Sequence, residues 1–297
     1  MNIVCFEHHG KGKKLLKVLE EKFPDLSYFT IQKILRQKDV KINGARVHQN
    51  IEVQENDQIQ VYVPNDKVKN EFFEPDVVFE DQNIIVCNKP VQMETISQNE
   101  ERDLTFFVNK YLQAKNFSAE PVHRIDRNTQ GLVVFAKNDK AREELLDAFK
   151  RRTIKKYYLA WCAGILKKDK DKLVAFLKKD EKISLCYVSD CYKPGYKKIE
   201  TAYRVLKREE EKTLVEVELL TGRTHQIRAH FAHIGFPLLG DGKYGQNSFN
   251  KKYGLRYQAL VNYKIVFCFS KEQYLSYLDK KIIEIDTQDF CNFKNLR

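Results

Sequence analysis

From Tyr157 to Phe269 the chain is a succession of short apolar segments of strand length: Tyr157–Cys162, Lys172–Leu177, Thr201–Leu206, Thr213–Leu220 and Tyr263–Phe269. Helical patterns are scattered among them and do not alternate with them strand for strand. That rules against a doubly wound parallel sheet. It argues for the α+β class with a mixed or antiparallel sheet. Upstream, Val77-Val78-Phe79 and Ile84-Ile85-Val86 read as strands around the acidic turn Glu80-Asp81-Gln82-Asn83. Leu104, Phe107, Val108, Tyr111 and Leu112 mark an amphipathic helix. Gly131–Ala136 reads as a buried strand, and Asn138 or Asp139 then caps a helix with Ala141, Leu145, Ala148 and Phe149 turned inward.

The first 63 residues form a separate pattern. Leu15, Val18 and Leu19 share one helical stripe. Ser27 is placed to cap a second helix carrying Ile31, Ile34 and Leu35. Asn43-Gly44 is a turn signal between two short strands, and Gln58–Val63 alternates polar and apolar. A polar, proline-flanked stretch from Pro64 to Pro75 follows. The expected organisation is a small module over 1–66, a linker over 67–76 and a larger domain over 77–297.

Charge narrows the function. The chain has 297 residues and a net charge of +11, with 52 Lys and Arg against 41 Asp and Glu. A basic excess favours a polyanionic partner. It is concentrated: Lys11–Arg46 carries ten basic residues against four acidic, and Lys150–Lys182 twelve against four. Gln49–Asp66 carries four acids and no base. No apolar run reaches the ~20 residues of a membrane span, and the start lacks a secretory pattern. A cytoplasmic protein with seven reduced cysteines is therefore expected, Cys186 and Cys191 being unbridged.

Two segments are suited to chemistry. In His123-Arg124-Ile125-Asp126-Arg127-Asn128-Thr129-Gln130-Gly131 a carboxylate lies between two arginines just ahead of an apolar strand. Flanking cations favour the ionised form, which suits a nucleophile or base. In Leu219–His230 a strand ends at Leu220, Gly222 permits a turn, and Thr224 is placed to cap a helix bearing Ile227, Phe231 and Ile234 on one stripe, with Arg228 beside it. Arginines at a helix start suit a phosphate or a carboxylate. His225, His230 and His233 match no metal-ligand spacing, so no metal is expected. Gly240-Asp241-Gly242-Lys243-Tyr244-Gly245 has the G-x-G-x-x-G form without the strand–helix context of a dinucleotide site. No phosphate-binding G-x-x-x-x-G-K-[ST] loop occurs.

Four segments together resemble the RluA-type family of RNA pseudouridine synthases. They are "NIIVCNKP", "PVHRIDRNTQGLVVFAKN", "KKYYLAWCAG" and "LLTGRTHQIRAHFAHIGFPLLGDGKYG", in family order over roughly Val77–Phe269. The resemblance implies a mixed, largely antiparallel catalytic sheet with a cleft across its middle, and catalysis without metal or cofactor. It implies catalytic roles for Asp126, for Tyr158 stacked on the target base, and for Arg228 paired with the aspartate. Arg124 matches the side chain that fills the space of a flipped uridine, and His123, Arg223, His225 and Lys89 are expected to bind substrate. The first module resembles a small RNA-binding module of a ribosomal protein. Its two basic helices are expected to meet phosphates through Lys11, Lys13, Lys14, Lys33, Arg36 and Lys38, with the acidic run after Gln49 facing away. Such a module ahead of the catalytic domain resembles the subgroup that acts on large-subunit ribosomal RNA, the expected partner, and a monomer is expected. A transfer-RNA-modifying member and a non-catalytic ribosome-associated binder are the alternatives. Departures from the family pattern are Gln130 for serine, Gln92 for glycine, Phe236 for histidine, and Gln258 in the Leu-His-Ala segment.

Overall fold

The computed structural model describes residues 2–23, 26, 28–63, 73–97 and 103–293, without the side chains of residues 2, 28, 29 and 33. Ser27, most of the expected linker and the side chain of Lys33 lie outside the described residues. The chain divides into two compact units, Met1–Phe73 and Glu74–Arg297.

In the first unit β1 (Asn2–Glu7), β6 (Gln58–Val63), β3 (Val40–Ile42) and β4 (Ala45–Val47) form one antiparallel sheet in that order. Beside them β2 (Lys13–Lys14) pairs with β5 (Glu52–Val53). Helices α1 (Leu15–Lys22) and α2 (Tyr28–Arg36) bury Leu15, Val18, Leu19, Ile31, Ile34 and Leu35 against Val40, Ile59 and Val61. The apolar stripes expected from spacing are thus the core. The basic residues are distributed differently from expectation. Lys13 and Lys14 form β2 instead of opening a helix, and Lys14 lies directly opposite Glu52. Lys13 pairs with Glu21. The acidic run therefore shares its β-pair with two of the expected phosphate ligands, because local strand pairing overrides the charge pattern. Lys38 follows α2 in a left-handed turn, φ 60°.

The second unit is built on an eleven-stranded sheet. In chain order its elements are β7 (Asp76–Glu80), β8 (Ile84–Lys89), α3 (Leu104–Gln113), β9 (Glu120–Pro121), β10 (Gln130–Ala136), α4 (Asp139–Arg151) and β11 (Lys155–Ala163). Then come β12 (Lys170–Asp180), β13 (Leu185–Ser189), β14 (Lys197–Glu209), β15 (Lys212–Leu219), α5 (Gln226–His233), α6 (Asn247–Tyr253), β16 (Leu260–Val266), β17 (Ile282–Glu284) and α7 (Gln288–Cys291). The sheet runs β13-β12-β14-β15-β11-β16-β10-β8-β7, with β17 on β16 and β9 on β10. Among the described residues only β10 and β16 pair in parallel. The α+β class with a mixed, largely antiparallel sheet is borne out.

Alternation along β11 organises the core. Leu159 and Trp161 pack on one side with Leu214, Val261 and Phe290. Tyr158, Ala160 and Cys162 face the other side, where Val215, Val217 and the α5 residues Ile227 and Phe231 cover them. Tyr158 thereby faces the helix that carries Arg228. A third cluster packs α4, through Ala141, Leu145 and Ala148, on β8 and β10. Asn138 is the residue that caps α4, its side chain accepting from the Ala141 N–H at 2.9 Å. Gly131 marks the parallel junction: its φ is +125°, and a β-carbon there would lie 2.2 Å from the Asn262 carbonyl oxygen. Only glycine fits such an approach. Cys186 is buried and Cys191 exposed, with no bridge between them. Among the described residues no helix is long and apolar enough to cross a membrane.

Candidate active site

A cavity of about 1040 Å³ opens in the second unit, lined by the 123–129 loop, Tyr158 of β11, the 221–228 turn and the 240–243 loop. It is large enough for a nucleotide with part of its flanking chain. The 123–129 loop is held from below by several bonds. The Lys89 ammonium donates to the carbonyls of Pro90, Met93 and Arg127 at 2.7–3.0 Å. Arg127 Nε donates to the Gln92 carbonyl at 3.2 Å, and Gln258 Nε2 to Thr129 Oγ1 at 3.2 Å. The Thr129 N–H closes a turn on the Asp126 carbonyl at 3.0 Å. Gln92 adopts a left-handed φ of 65°, a conformation that favours glycine.

The 221–228 segment is shaped by Gln226, not by a Thr224 cap. Gln226 Oε1 accepts from Thr221 Oγ1 at 2.8 Å and from the Arg223 N–H at 3.1 Å. Its Nε2 donates to the Glu200 carbonyl and to Thr201 Oγ1, both at 3.0 Å. The strand ends at Leu219, and His225, with φ 52° and no side-chain cap bond, stands at the α5 start. A buried amide that closes the turn from inside replaces the expected hydroxyl cap.

This frame brings Arg228 onto Asp126. Arg228 Nη1 donates to Asp126 Oδ2 at 3.0 Å. Its Nε and Nη2 donate to Asp241 Oδ2 and Oδ1 at 2.7 and 2.9 Å. Asp241 is fully buried, Arg228 nearly so, and the Asp126 side chain 24% exposed. The guanidinium also lies 5.3 Å from the centre of the Tyr244 ring. Burial opposes the charge on Arg228, but the bonds and charges of Asp241 and Asp126 prevail and hold it protonated. Burial likewise opposes ionisation of Asp241. The Arg228 bonds and charge, with N–H groups of Lys243 and Tyr244, outweigh it and keep the carboxyl below its ordinary range. Tyr158 lines the cavity nine-tenths buried or more, next to a β-bulge at Tyr157/Tyr158. Burial first and the Asp126 charge second push its phenol well above the ordinary value, so it stays protonated.

The remaining candidates divide. Arg124 and Arg223 are exposed on the cavity wall, and His123 and His225 line it too. His123 Nε2 accepts from the Val134 N–H at 3.1 Å, and burial lowers its pKa well below the ordinary value, so the ring is neutral. Burial also lowers His225, whose Nδ1 lies 2.9 Å from Tyr244 Oη. Lys89 is not on the wall. It is fully buried with its three donors on backbone carbonyls, an internal brace for the loop. His225, His230 and His233 meet three separate partners: Tyr244, Thr201 and Asp190. Asp241 and Tyr244 were not assigned a role by sequence reasoning. The signal lay in the Gly240–Gly245 segment itself: its aspartate follows a φ +76° glycine whose β-carbon would strike the Tyr257 carbonyl.

Comparison with known proteins identifies the family. A family profile described as RNA pseudouridylate synthase matches residues 83–233. An RNA pseudouridine synthase of Bacillus subtilis strain 168, YlyB, itself uncharacterized, is 35% identical over 79% of this chain and 80% of its own length. Ribosomal large subunit pseudouridine synthase C of Rickettsia bellii is 31% identical over 80% of this chain and 84% of its own. In fold, the structure of human RNA pseudouridylate synthase domain containing 1 superposes with a TM-score of 0.56 and 20% identity, over 76% of this chain and 96% of that one. The chain belongs to the RluA-type family of RNA pseudouridine synthases, enzymes that isomerise uridine in RNA to pseudouridine.

Proposed function

We propose that this enzyme modifies uridines of large-subunit ribosomal RNA, with Asp126 as its reacting carboxylate and no metal or cofactor. The observation that carries the mechanism is the placement of Asp126 on Arg228 in a cationic cleft beside a protonated tyrosine. The reaction breaks the bond from ribose C1′ to ring N1 and forms one to C5. The C5 hydrogen leaves as a proton and N1 gains one, so the change is redox-neutral and needs no electron carrier. Asp126 initiates it, by removing a ribose proton or by covalent attack. Arg228 holds the carboxylate in place and stabilises its charge. Tyr158 offers an apolar face to the base and a hydroxyl that keeps its proton. The target must leave its stack, at a cost of a few kcal/mol, and Arg124 on the wall offsets part of that by filling the vacated space.

The ribosomal assignment rests on relatives named for the large ribosomal subunit and on a basic first unit. There the exposed Lys11, Arg36 and Lys38 are the proposed phosphate ligands, with Lys33 of α2 beside them in sequence. Mapping pseudouridines in the RNA of a deletion strain against its parent tests this. Loss of pseudouridine at large-subunit positions is expected. Loss confined to transfer RNA would reassign the substrate, and no loss anywhere would overturn the catalytic reading.

A further inference from the structure

Lys156 lies on β11 two residues before Tyr158, and the mechanism above gives it no task. It lines the catalytic cavity and also a second one of about 250 Å³. Phe149, Arg152, Leu219, Thr221 and Gly222 line both as well, so the two spaces adjoin at this lysine. The ammonium sits 5.2 Å from the centre of the Phe149 ring. Among the described residues no carboxylate pairs with it, and burial alone lowers its pKa to about 8. A desolvated ammonium without a counter-ion is an unfavourable arrangement that a bound anion relieves. Gly222 keeps the approach open: a β-carbon there would already touch Lys156 Nζ at 3.5 Å, and a longer side chain would cover it.

Arg152 supplies a second cation. It ends α4 in the left-handed conformation, φ 65°, which carries its exposed side chain off the helix axis. Its only carboxylate neighbour among the described residues is Glu200 at 3.9 Å, and Glu200 is held closer by Lys198 at 2.9 Å. Arg152 is thus left with donors to spare on the lining it shares with Lys156.

We propose that Lys156 and Arg152 form a phosphodiester-binding subsite next to the catalytic cleft, which takes a backbone phosphate of the RNA strand adjoining the uridine held at Asp126. The proposal rests on RNA being the substrate and is independent of which RNA it is. A phosphodiester is ionised at every physiological pH, and two cations lining the same rim of the cleft would fix the strand's register without reading a base.

Total RNA from a deletion strain contains the unmodified target whatever its class, and it serves as the probe. Amine acetylation at pH 8, read by mass spectrometry, should label Lys156 in the free protein and lose that label when the RNA is bound. With the same RNA carrying tritium at uridine C5, K156M should raise KM about tenfold and leave kcat within about threefold. The slope of log affinity on log salt should flatten by about 0.7, the value for one phosphate of a single strand. K156R should retain the slope, and R152Q should flatten it in a protein whose Lys156 is intact. The proposal is overturned if bound RNA leaves Lys156 labelling unchanged, or if K156M lowers kcat at unaltered KM. If the missing pseudouridine proves to lie in transfer RNA, the ribosomal reading falls while the labelling experiment still decides the subsite.

Discussion

Arg228 reaches Asp126 across 102 residues of sequence, and it does so with the one nitrogen that Asp241 leaves over. The bidentate grip of Asp241 fixes the guanidinium plane, so the Asp126 carboxylate meets a donor already held in position. Asp241 in turn is tied to the backbone of its own loop by the Lys243 and Tyr244 N–H groups. The orientation of the carboxylate proposed to react is thus set by a residue that does not itself line the cavity.

Replacing Asp126 with asparagine should leave folding and RNA binding near wild type and reduce turnover by on the order of 10³-fold or more. The amide keeps the size and an acceptor oxygen but can neither take a proton nor attack. Tritium release from C5-labelled uridine in RNA measures this directly. Activity within about tenfold of wild type would remove Asp126 from the mechanism.

Arg228→Met and Asp241→Asn should each destabilise the fold, the first by ~3–5 kcal/mol, because each strands a buried partner. The double variant should cost clearly less than the sum, since both changes break one pair. Urea unfolding of the four proteins gives the cycle. Asp241→Asn should also slow turnover without weakening RNA binding, because Arg228 loses the anchor that aims it at Asp126. Additive destabilisation would mean that the two side chains act independently.

Three histidines make stability fall on mild acidification. His123, His225 and His230 all have lowered pKa values in the fold, each chiefly through burial, with His230 at about 4. Unfolded, they titrate near 6.5. Below that pH the unfolded chain binds protons that the folded chain refuses, so stability declines as pH drops from about 6.5 toward 4. His230→Gln should remove one proton from that dependence, a slope of about 1.4 kcal/mol per pH unit. The amide can still bond Thr201, which His230 Nδ1 meets at 3.0 Å. Urea midpoints at pH 7.5, 6 and 5 test this. Equal slopes for the two proteins would refute it.

Removing residues 1–73 should weaken RNA binding and flatten its salt dependence, by about 0.7–0.9 for each phosphate that is no longer neutralised. The residues proposed to be catalytic lie in the second unit, which has its own core. Turnover at saturating RNA should therefore fall less than turnover at low RNA. Filter binding across a salt series and steady-state kinetics report the two effects. Unchanged affinity and slope would show that the first unit is not an RNA-binding element.

Local pattern determined much of this protein. The unbroken apolar run Tyr157–Cys162 was enough to place a strand, and helical spacing of Ala141, Leu145 and Ala148 was enough for α4. Both signals depend only on near neighbours and the backbone repeat. Other edge and end elements were not legible. β13 buries only Cys186 of its five residues, so its alternation is faint, and β16 begins at Leu260, three residues before the apolar segment suggested. The set Asp126, Tyr158 and Arg228 could be picked out by motif, but their meeting could not be derived from spacing. It depends on β10 lying between β8 and β16, and on α5 covering the Tyr158 face of β11. Lys89 shows the same limit from the other side. A lysine beside a proline looks like a free cation in sequence, and three carbonyls brought in by the fold make it an internal brace. Hydrogen bonds and charge pairs of this kind join groups whose separation is set by sheet order, and sheet order is decided by burial of the whole chain, which no short window of residues contains.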